Sequence, residues 1–252
     1  MTPRTPAPRA RLAPALLAAV LALTSTVSAC AQPGSGAQGR QGAAATPAQV
    51  DSILPRADRG RSKGSDSARV TIIEVSDFQC PFCRQWFDQT YAKFDSAYVR
   101  TGKVRMVFIN YPLPSHTQSY PAAKAALCAG AQGKFWPMHD RLFSTQREWS
   151  GQNDAAQRFA RFAVDVGLDA AAWRDCYDND RVAPVVINDV SGVTGAGIQG
   201  TPTFIVNGRQ LLNGAVTFEE MSRAVEAHLS APPGQAPAPP PAPAPPPAPP
   251  GS

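Results

Sequence analysis

The sequence has few of the groups that bind metal ions or nucleic acids. It contains three His residues, and His116, His139 and His228 are too scattered to form a close pair. A zinc site takes about four ligands at suitable spacing, so a single C-x-x-C pair lacks the partners that zinc needs. The formal charge is +5, three of the arginines lie within residues 1–11, and no basic stripe follows them. We therefore expect no metal, no cofactor and no nucleic-acid partner.

The sequence also lacks an apolar run long enough to cross a bilayer. Its longest run, Leu12–Leu23, is shorter than the about 20 residues that a spanning helix needs. Arg4, Arg9 and Arg11 precede this run and small residues follow it, which is typical of a secretory signal. We predict a signal peptide over residues 1–29; the alternative is an uncleaved membrane anchor.

The signal ends in Val27-Ser-Ala-Cys30, which resembles the bacterial lipobox. In that motif the Cys is lipidated and the signal is cut just before it. Acyl chains on Cys30 would anchor the chain to a membrane, since each buried CH₂ contributes about 0.8 kcal/mol. The alternative is a signal-peptidase cut that leaves a free N-terminal Cys.

Composition divides the rest of the chain. Residues 30–59 are rich in Ala, Gly, Gln, Ser and Pro, and we interpret them as a flexible tether. Residues 60–230 have ordinary composition and suffice for one domain. Residues 231–252 are almost wholly Pro and Ala, which predicts a disordered, extended tail.

Four cysteines remain once Cys30 is set aside. Cys80 and Cys83 form a C-x-x-C, which without further metal ligands favours redox chemistry. Cys128 and Cys176 each lie in a helical pattern that turns the thiol inward. In an exported chain two buried cysteines favour a structural disulfide, and the alternative is two separate thiols.

The C-x-x-C follows a predicted strand and opens a predicted helix. Val70–Ser76 is rich in β-branched residues and predicts a buried strand. Pro81 suits the first position of a helix, because its missing N–H would be unbonded there anyway. This places Cys80 at the N-cap, where we expect an exposed thiol with a lowered pKa, and places Cys83 one turn further in.

The remaining elements complete a mixed sheet. A second strand, 104–109, would pair in parallel with the first, whereas Asn207-Gly208 predicts an antiparallel hairpin between strands 203–206 and 210–212. Residues from about 115 to 196 have helical periodicity. Thr217 and Glu220 predict a capping box at the start of a last helix. The fold class is therefore α/β, with a helical insertion.

Three motifs carry a resemblance to a known family: D-F-Q-C-P-F-C at 77–83, G-K-F-W-P-M-H-D-R-L-F at 133–143 and G-T-P-T-F-I-V-N-G at 200–208. Together they resemble the DsbA-like branch of the thioredoxin superfamily, over about residues 60–229. The resemblance implies a thioredoxin fold with an inserted helical domain, a cis Pro202 facing the active-site sulfurs, and a second disulfide within the insertion. The most oxidising members have a His where Phe82 stands, so we expect an intermediate redox potential.

The same resemblance suggests roles around the sulfurs. Cys80 would form the mixed disulfide with substrate, and Cys83 would resolve it. Glu74, on the buried strand, would have a raised pKa and could carry the proton of Cys83; alternatively it is a hydrogen-bonded strand residue. Pro202 would leave the Thr201 backbone free to pair with a substrate strand, and the Thr201 hydroxyl could adjust the thiolate.

We therefore expect a thiol–disulfide oxidoreductase that introduces disulfides into unfolded exported proteins. It would work in the cell envelope as a lipid-anchored monomer, and a membrane or soluble redox partner would reset the cysteine pair. The alternatives are a reductase or isomerase, and a tethered chaperone or binding module without catalysis.

Overall fold

The computed structural model describes residues 53–232. The predictions for the signal peptide, for lipidation of Cys30 and for residues 233–252 lie outside this range. No helix within it is both long enough and apolar enough to cross a membrane.

Five strands form one mixed sheet in the order β1-β3-β2-β4-β5. The strands are β1 Ser62–Lys63, β2 Val70–Ser76, β3 Val104–Asn110, β4 Thr203–Val206 and β5 Gln210–Asn213. β2 pairs with β3 in parallel, and the other neighbouring pairs are antiparallel. The predicted mixed sheet is confirmed, with β2 at its centre and the short β1 as an addition at one edge.

Helices cover both faces of this sheet. They are α1 Ile53–Gly60, α2 Pro81–Trp86, α3 Ala92–Phe94, α4 Ser119–Gly130, α5 Phe135–Ser144, α6 Gln146–Trp149, α7 Ala155–Asp165, α8 Ala170–Asp178, α9 Ala183–Gly195 and α10 Phe218–Ser230. A π-helical turn, Phe87–Tyr91, joins α2 to α3, and a second, Asp95–Val99, continues α3. Helices α4–α9 lie between β3 and β4 in sequence and form the helical insertion.

Helix α1 corrects the predicted tether. Residues 53–59 were expected to be flexible, but they are helical and belong to the folded domain. Ile53 and Ala57, one helical turn apart, are both buried against the insertion. Gly60 then passes so close to α4 that a Cβ on it would lie 2.6 Å from the carbonyl oxygen of Gly130. A helix of eight residues with two buried side chains is too short to be recognised from hydrophobic periodicity in the sequence.

The insertion shares its hydrophobic core with the active-site segment. Cys80, Cys83 and Phe78 belong to the same buried cluster as Cys128 and Cys176. Cys128 and Cys176 form a disulfide with a Cα–Cα distance of 5.8 Å, which joins α4 to α8. The insertion is thus cross-linked by its own disulfide and packs against the segment that carries the C-x-x-C pair.

A buried ion pair fastens α9 to the sheet. Arg61 Nη1 lies 2.6 Å from Oδ1 and 2.7 Å from Oδ2 of Asp189 in α9. Asp189 also accepts hydrogen bonds from the backbone N–H and the side-chain amide of Asn110, both at 3.0 Å. Since both charged side chains are largely buried, each depends on the other for its stability.

Candidate active site

Cys80 occupies the N-cap of α2, as predicted. Its backbone is extended (φ −67°, ψ 127°), Pro81 takes the first helical position, and the N–H of Arg84 donates to the Cys80 carbonyl at 3.1 Å. The chain leaves the centre of the sheet at Ser76, so the short segment to Cys80 brings the thiol to the carboxyl end of β2. The backbone N–H groups of the first helical turn face this position and favour a negative charge there.

The third motif leads into β4, which lies next to β2 in the sheet. The Thr201–Pro202 peptide bond is cis, and the Cys80 sulfur is 3.4 Å from the carbonyl oxygen of Thr201. Pro202 and the following strand β4 are buried beside β2. The segments predicted to meet at the site, 77–83 and 200–202, therefore do meet.

One expectation about Cys80 is wrong. We expected an exposed thiol, but the residue is only 3% exposed, because the Thr201 segment packs against the sulfur. The surface at this point is formed instead by Pro81 and by Phe82, which is 58% exposed. The sulfur therefore does not project freely from the surface.

The surroundings of Cys80 and Cys83 shift the pKa values of the two thiols in opposite directions. Cys80 and Cys83 are free thiols in this structure, without a disulfide between them. The pKa of Cys80 is lowered from 9.0 to about 6, chiefly by the hydrogen bond with the Cys83 thiol. The Thr201 side chain and the backbone N–H groups of Cys83 and Phe82 lower it further, against the opposing effect of burial. The pKa of Cys83 is raised well above its ordinary value, first by complete burial and then by Cys80. At neutral pH these shifts favour Cys80 as the thiolate and Cys83 as the protonated thiol.

Glu74 is fully buried on β2, six residues before Cys80. Burial raises its pKa from 4.5 to about 8, although the Ser76 hydroxyl and the Lys63 ammonium act in the opposite direction. Neither carboxylate oxygen makes a hydrogen bond of normal geometry within residues 53–232.

Asp77 holds the loop before Cys80, a role that the sequence did not reveal. Its carboxylate is buried and accepts hydrogen bonds from the N–H groups of Gln79 (2.7 Å) and Leu113 (3.0 Å) and from the hydroxyl of Ser119. His116 Nδ1 lies 2.6 Å from the same group. A buried acid directly after a strand was the available signal, but its partners come from a distant loop.

A surface groove of about 500 Å³ begins beside the cis peptide bond. Thr201, Pro202, Leu211 and Asn213 contribute to its lining, and Leu211 is 51% exposed. The groove extends from Thr201, whose carbonyl oxygen contacts the Cys80 sulfur, to β5 at the edge of the sheet. Among residues 53–232, no group of three or more His, Cys, Asp or Glu side chains is arranged to hold a metal ion.

Known proteins of two kinds are similar to this chain in sequence. The Na⁺/H⁺ antiporter NhaA 3 of Salinispora tropica is 34% identical over 178 residues, which cover 70% of this chain and 26% of the antiporter. The chain thus spans about a quarter of the length of that relative. A probable disulfide bond formation protein D of Bacillus anthracis is 26% identical over 178 residues, covering 67% of this chain and 78% of the relative.

The structural comparison agrees on the fold. The oxidised BdbD of Bacillus subtilis superposes with a TM-score of 0.63 at 23% identity, covering 69% of this chain and 95% of BdbD. A family model described as Thioredoxin matches residues 57–227, most of the described range. The resemblance inferred from the three motifs is confirmed, and the chain belongs to the thioredoxin family, with the fold of its DsbA-like oxidoreductases.

Proposed function

We propose that this protein introduces disulfide bonds into exported proteins by exchange through Cys80 and Cys83. The observation that carries the proposal is the position of Cys80 at the N-cap of α2, 3.4 Å from the Thr201 carbonyl oxygen, with Cys83 buried behind it. The pKa of Cys80 is lowered and that of Cys83 is raised, which favours an ionised Cys80 and a protonated Cys83 at neutral pH. A lowered pKa at Cys80 stabilises the reduced pair, and stabilising the reduced pair makes the disulfide form a stronger oxidant.

The exchange conserves atoms and electrons. A substrate thiolate attacks the Cys80 sulfur of the oxidised pair, the Cys80–Cys83 bond breaks, and Cys83 leaves as a thiolate that takes up a proton. A second substrate thiolate then attacks the substrate sulfur of the mixed disulfide and releases Cys80 as a thiolate. Two electrons pass from substrate to enzyme, and a redox partner that accepts them resets the pair.

We propose that Glu74 supplies the proton that Cys83 takes up. With a pKa of about 8 it holds a proton at neutral pH and has no competing hydrogen bond of normal geometry. The Ser76 hydroxyl, two residues further along the same strand, lowers the pKa of both Glu74 and Cys83. The Glu74 carboxyl thus serves as the general acid for Cys83 in one direction and as its base in the other.

The groove beside Thr201 is proposed to hold the substrate chain. An extended segment can pair with the Thr201 backbone while an apolar side chain contacts Leu211, which is more than half exposed. Unfolded chains present such apolar, extended segments, whereas folded proteins bury them. This favours reduced, unfolded proteins as substrates.

Location follows from the N-terminal sequence. We propose that residues 1–29 are an export signal and that Cys30 is lipidated, which would hold the enzyme, acting as a monomer, at a membrane of the cell envelope. Incorporation of a radiolabelled fatty acid into the wild type, and its loss in Cys30→Ser, would support the anchor. A wild-type chain that stays unlabelled would reject it.

The direction of exchange is tested by equilibrating the pair with glutathione and by two assays. We expect a potential between those of thioredoxin (about −270 mV) and DsbA (about −120 mV). We also expect oxidation of reduced ribonuclease to exceed reduction of insulin, and Cys80→Ala to abolish both. A potential below that of thioredoxin would identify a reductase. A wild type without either redox activity, whose binding of unfolded protein survives in Cys80→Ala, would identify a binding module.

A further inference from the structure

Gln146 connects the helical insertion to the residues around the active site. Its side-chain amide donates to the carbonyl oxygens of Phe78 at 2.7 Å and of Cys80 at 3.0 Å. The residue opens α6 and is only 5% exposed. It lies 66 positions after Cys80 in the sequence, so these hydrogen bonds are tertiary contacts rather than part of the local turn.

The two hydrogen bonds hold the backbone that carries the reactive sulfur. The Cys80 carbonyl already accepts the first helical hydrogen bond, from Arg84, and its second lone pair is filled by Gln146. Fixing the carbonyls on both sides of Gln79 fixes the backbone of Cys80, and with it the direction of the sulfur. The amide also places the positive end of a dipole beside the residue that carries the negative charge.

The turn that carries Gln146 does not depend on that amide. The Trp149 indole N–H donates to the Leu142 carbonyl at 2.9 Å, and the Glu148 N–H donates to Thr145 at 2.8 Å. These bonds tie α6 to α5 without any part of the Gln146 side chain. The amide is therefore free to act on the active-site segment alone.

We propose that Gln146 is a positioning residue that stabilises the Cys80 thiolate, so that the helical insertion sets the redox potential of the cysteine pair. The inference rests on the function proposed for Cys80 and Cys83 above. It assigns to the insertion an effect on the chemistry itself, exerted through the Phe78–Cys80 backbone.

Gln146→Met tests this, because methionine has nearly the same length but no donor. We expect the pKa of Cys80, measured from the pH dependence of its alkylation in the reduced protein, to rise by about one unit. Equilibration with glutathione at pH 7 should then favour the disulfide form about fivefold more, which is ~20 mV less oxidising for a two-electron couple.

Gln132→Met is the matched control. Its amide also bonds the backbone within the insertion, with Nε2 at 3.2 Å from the Asp169 carbonyl and Oε1 at 2.9 Å from the Asp169 N–H. The same substitution there should leave the pKa of Cys80 and the potential unchanged. A folded Gln146→Met protein with wild-type values for both would overturn the proposal, as would an equal shift in both variants.

A measurement on the wild type covers the case in which Gln146→Met does not fold. The side-chain amide resonances of Gln146, followed by NMR in the reduced protein, should shift with a midpoint at the pKa of Cys80, about 6. Resonances that stay fixed while Cys80 titrates would contradict the inference. A wild type without any reversible cysteine couple would instead reject the function proposed for Cys80 and Cys83.

Discussion

The Cys80 sulfur lies 3.4 Å from the carbonyl oxygen of Thr201, although 121 positions separate the two residues in sequence. One belongs to the strand-to-helix junction and the other to the segment that leads into β4. Their contact is possible because β2 and β4 are neighbours in the sheet. The contact also places the nucleophile beside the groove in which an extended substrate can lie.

Cys80 should react as a thiolate well below the ordinary range of a thiol. In the reduced protein we expect its alkylation by iodoacetamide to rise with pH around a midpoint of about 6, against about 9 in denaturant. Because the Cys83 thiol is the largest cause of the low pKa, Cys83→Ala should move the midpoint upward. An unchanged midpoint in Cys83→Ala would contradict the role assigned to the Cys83 thiol.

Glu74→Gln should stabilise the oxidised protein in a pH-dependent way. Burial raises the folded pKa from 4.5 to about 8, so the stability that protonated Glu74 contributes is complete below pH 4.5 and is lost as pH rises towards 8. Gln does not titrate, so the gain in free energy of unfolding should be about 3 kcal/mol larger at pH 7 than at pH 4.

Urea unfolding at the two pH values measures this difference. The oxidised form is used because the thiols then do not titrate. Glu219→Gln, at an exposed position of α10, is the control and should show no such difference. A pH-independent effect of Glu74→Gln would mean that Glu74 is ionised in the folded protein.

Removing the Cys128–Cys176 disulfide should cost stability without altering the redox pair. The bond closes a loop with a sequence separation of 48, for which chain entropy predicts about 4 kcal/mol. We expect a loss of this order in Cys128→Ala/Cys176→Ala, measured by urea unfolding with Cys80–Cys83 oxidised. The glutathione equilibrium of the pair should not move; a shift would show that the disulfide also influences the active site.

Asp189→Ala should be strongly destabilising, because it leaves Arg61 largely buried without its buried partner. Loss of one member of a buried pair typically costs about 3–5 kcal/mol, and we expect the lower end. Arg61 retains a contact with Asp58, which is 56% exposed. Asp58→Ala removes that exposed carboxylate from the same arginine and should cost less than about 1 kcal/mol. Equal losses in the two variants would contradict the importance assigned to burial.

Local signals in the sequence predicted most of the elements that form the site. The β-branched run of β2, Pro81 after the N-cap and the Asn207-Gly208 turn each act within a few residues, and each lies where it was predicted. The Thr217 capping box is also present at the start of α10. Such features depend on backbone preferences that persist in any fold.

The features that the sequence did not reveal are contacts between distant segments. Arg61 and Asp189 are 128 positions apart, and Gln146 meets Cys80 across 66. The burial of Cys80 was likewise missed, because the Thr201 segment that covers it arrives from another part of the chain. Periodicity and local motifs do not predict which distant segment will cover a thiol, because that contact forms only in the folded structure.

Strand β5, which lines the groove proposed for the substrate, is also an edge strand at which the protein could aggregate. It is the last strand in the sheet order, so within residues 53–232 its outer backbone groups have no strand to pair with. Such an edge can join the same edge of a second molecule, especially with Leu211 projecting from it. Its length of four residues and the neighbouring Arg209 limit this self-association. Lengthening β5 or replacing Arg209 with an apolar residue should therefore promote aggregation before it disturbs the redox chemistry.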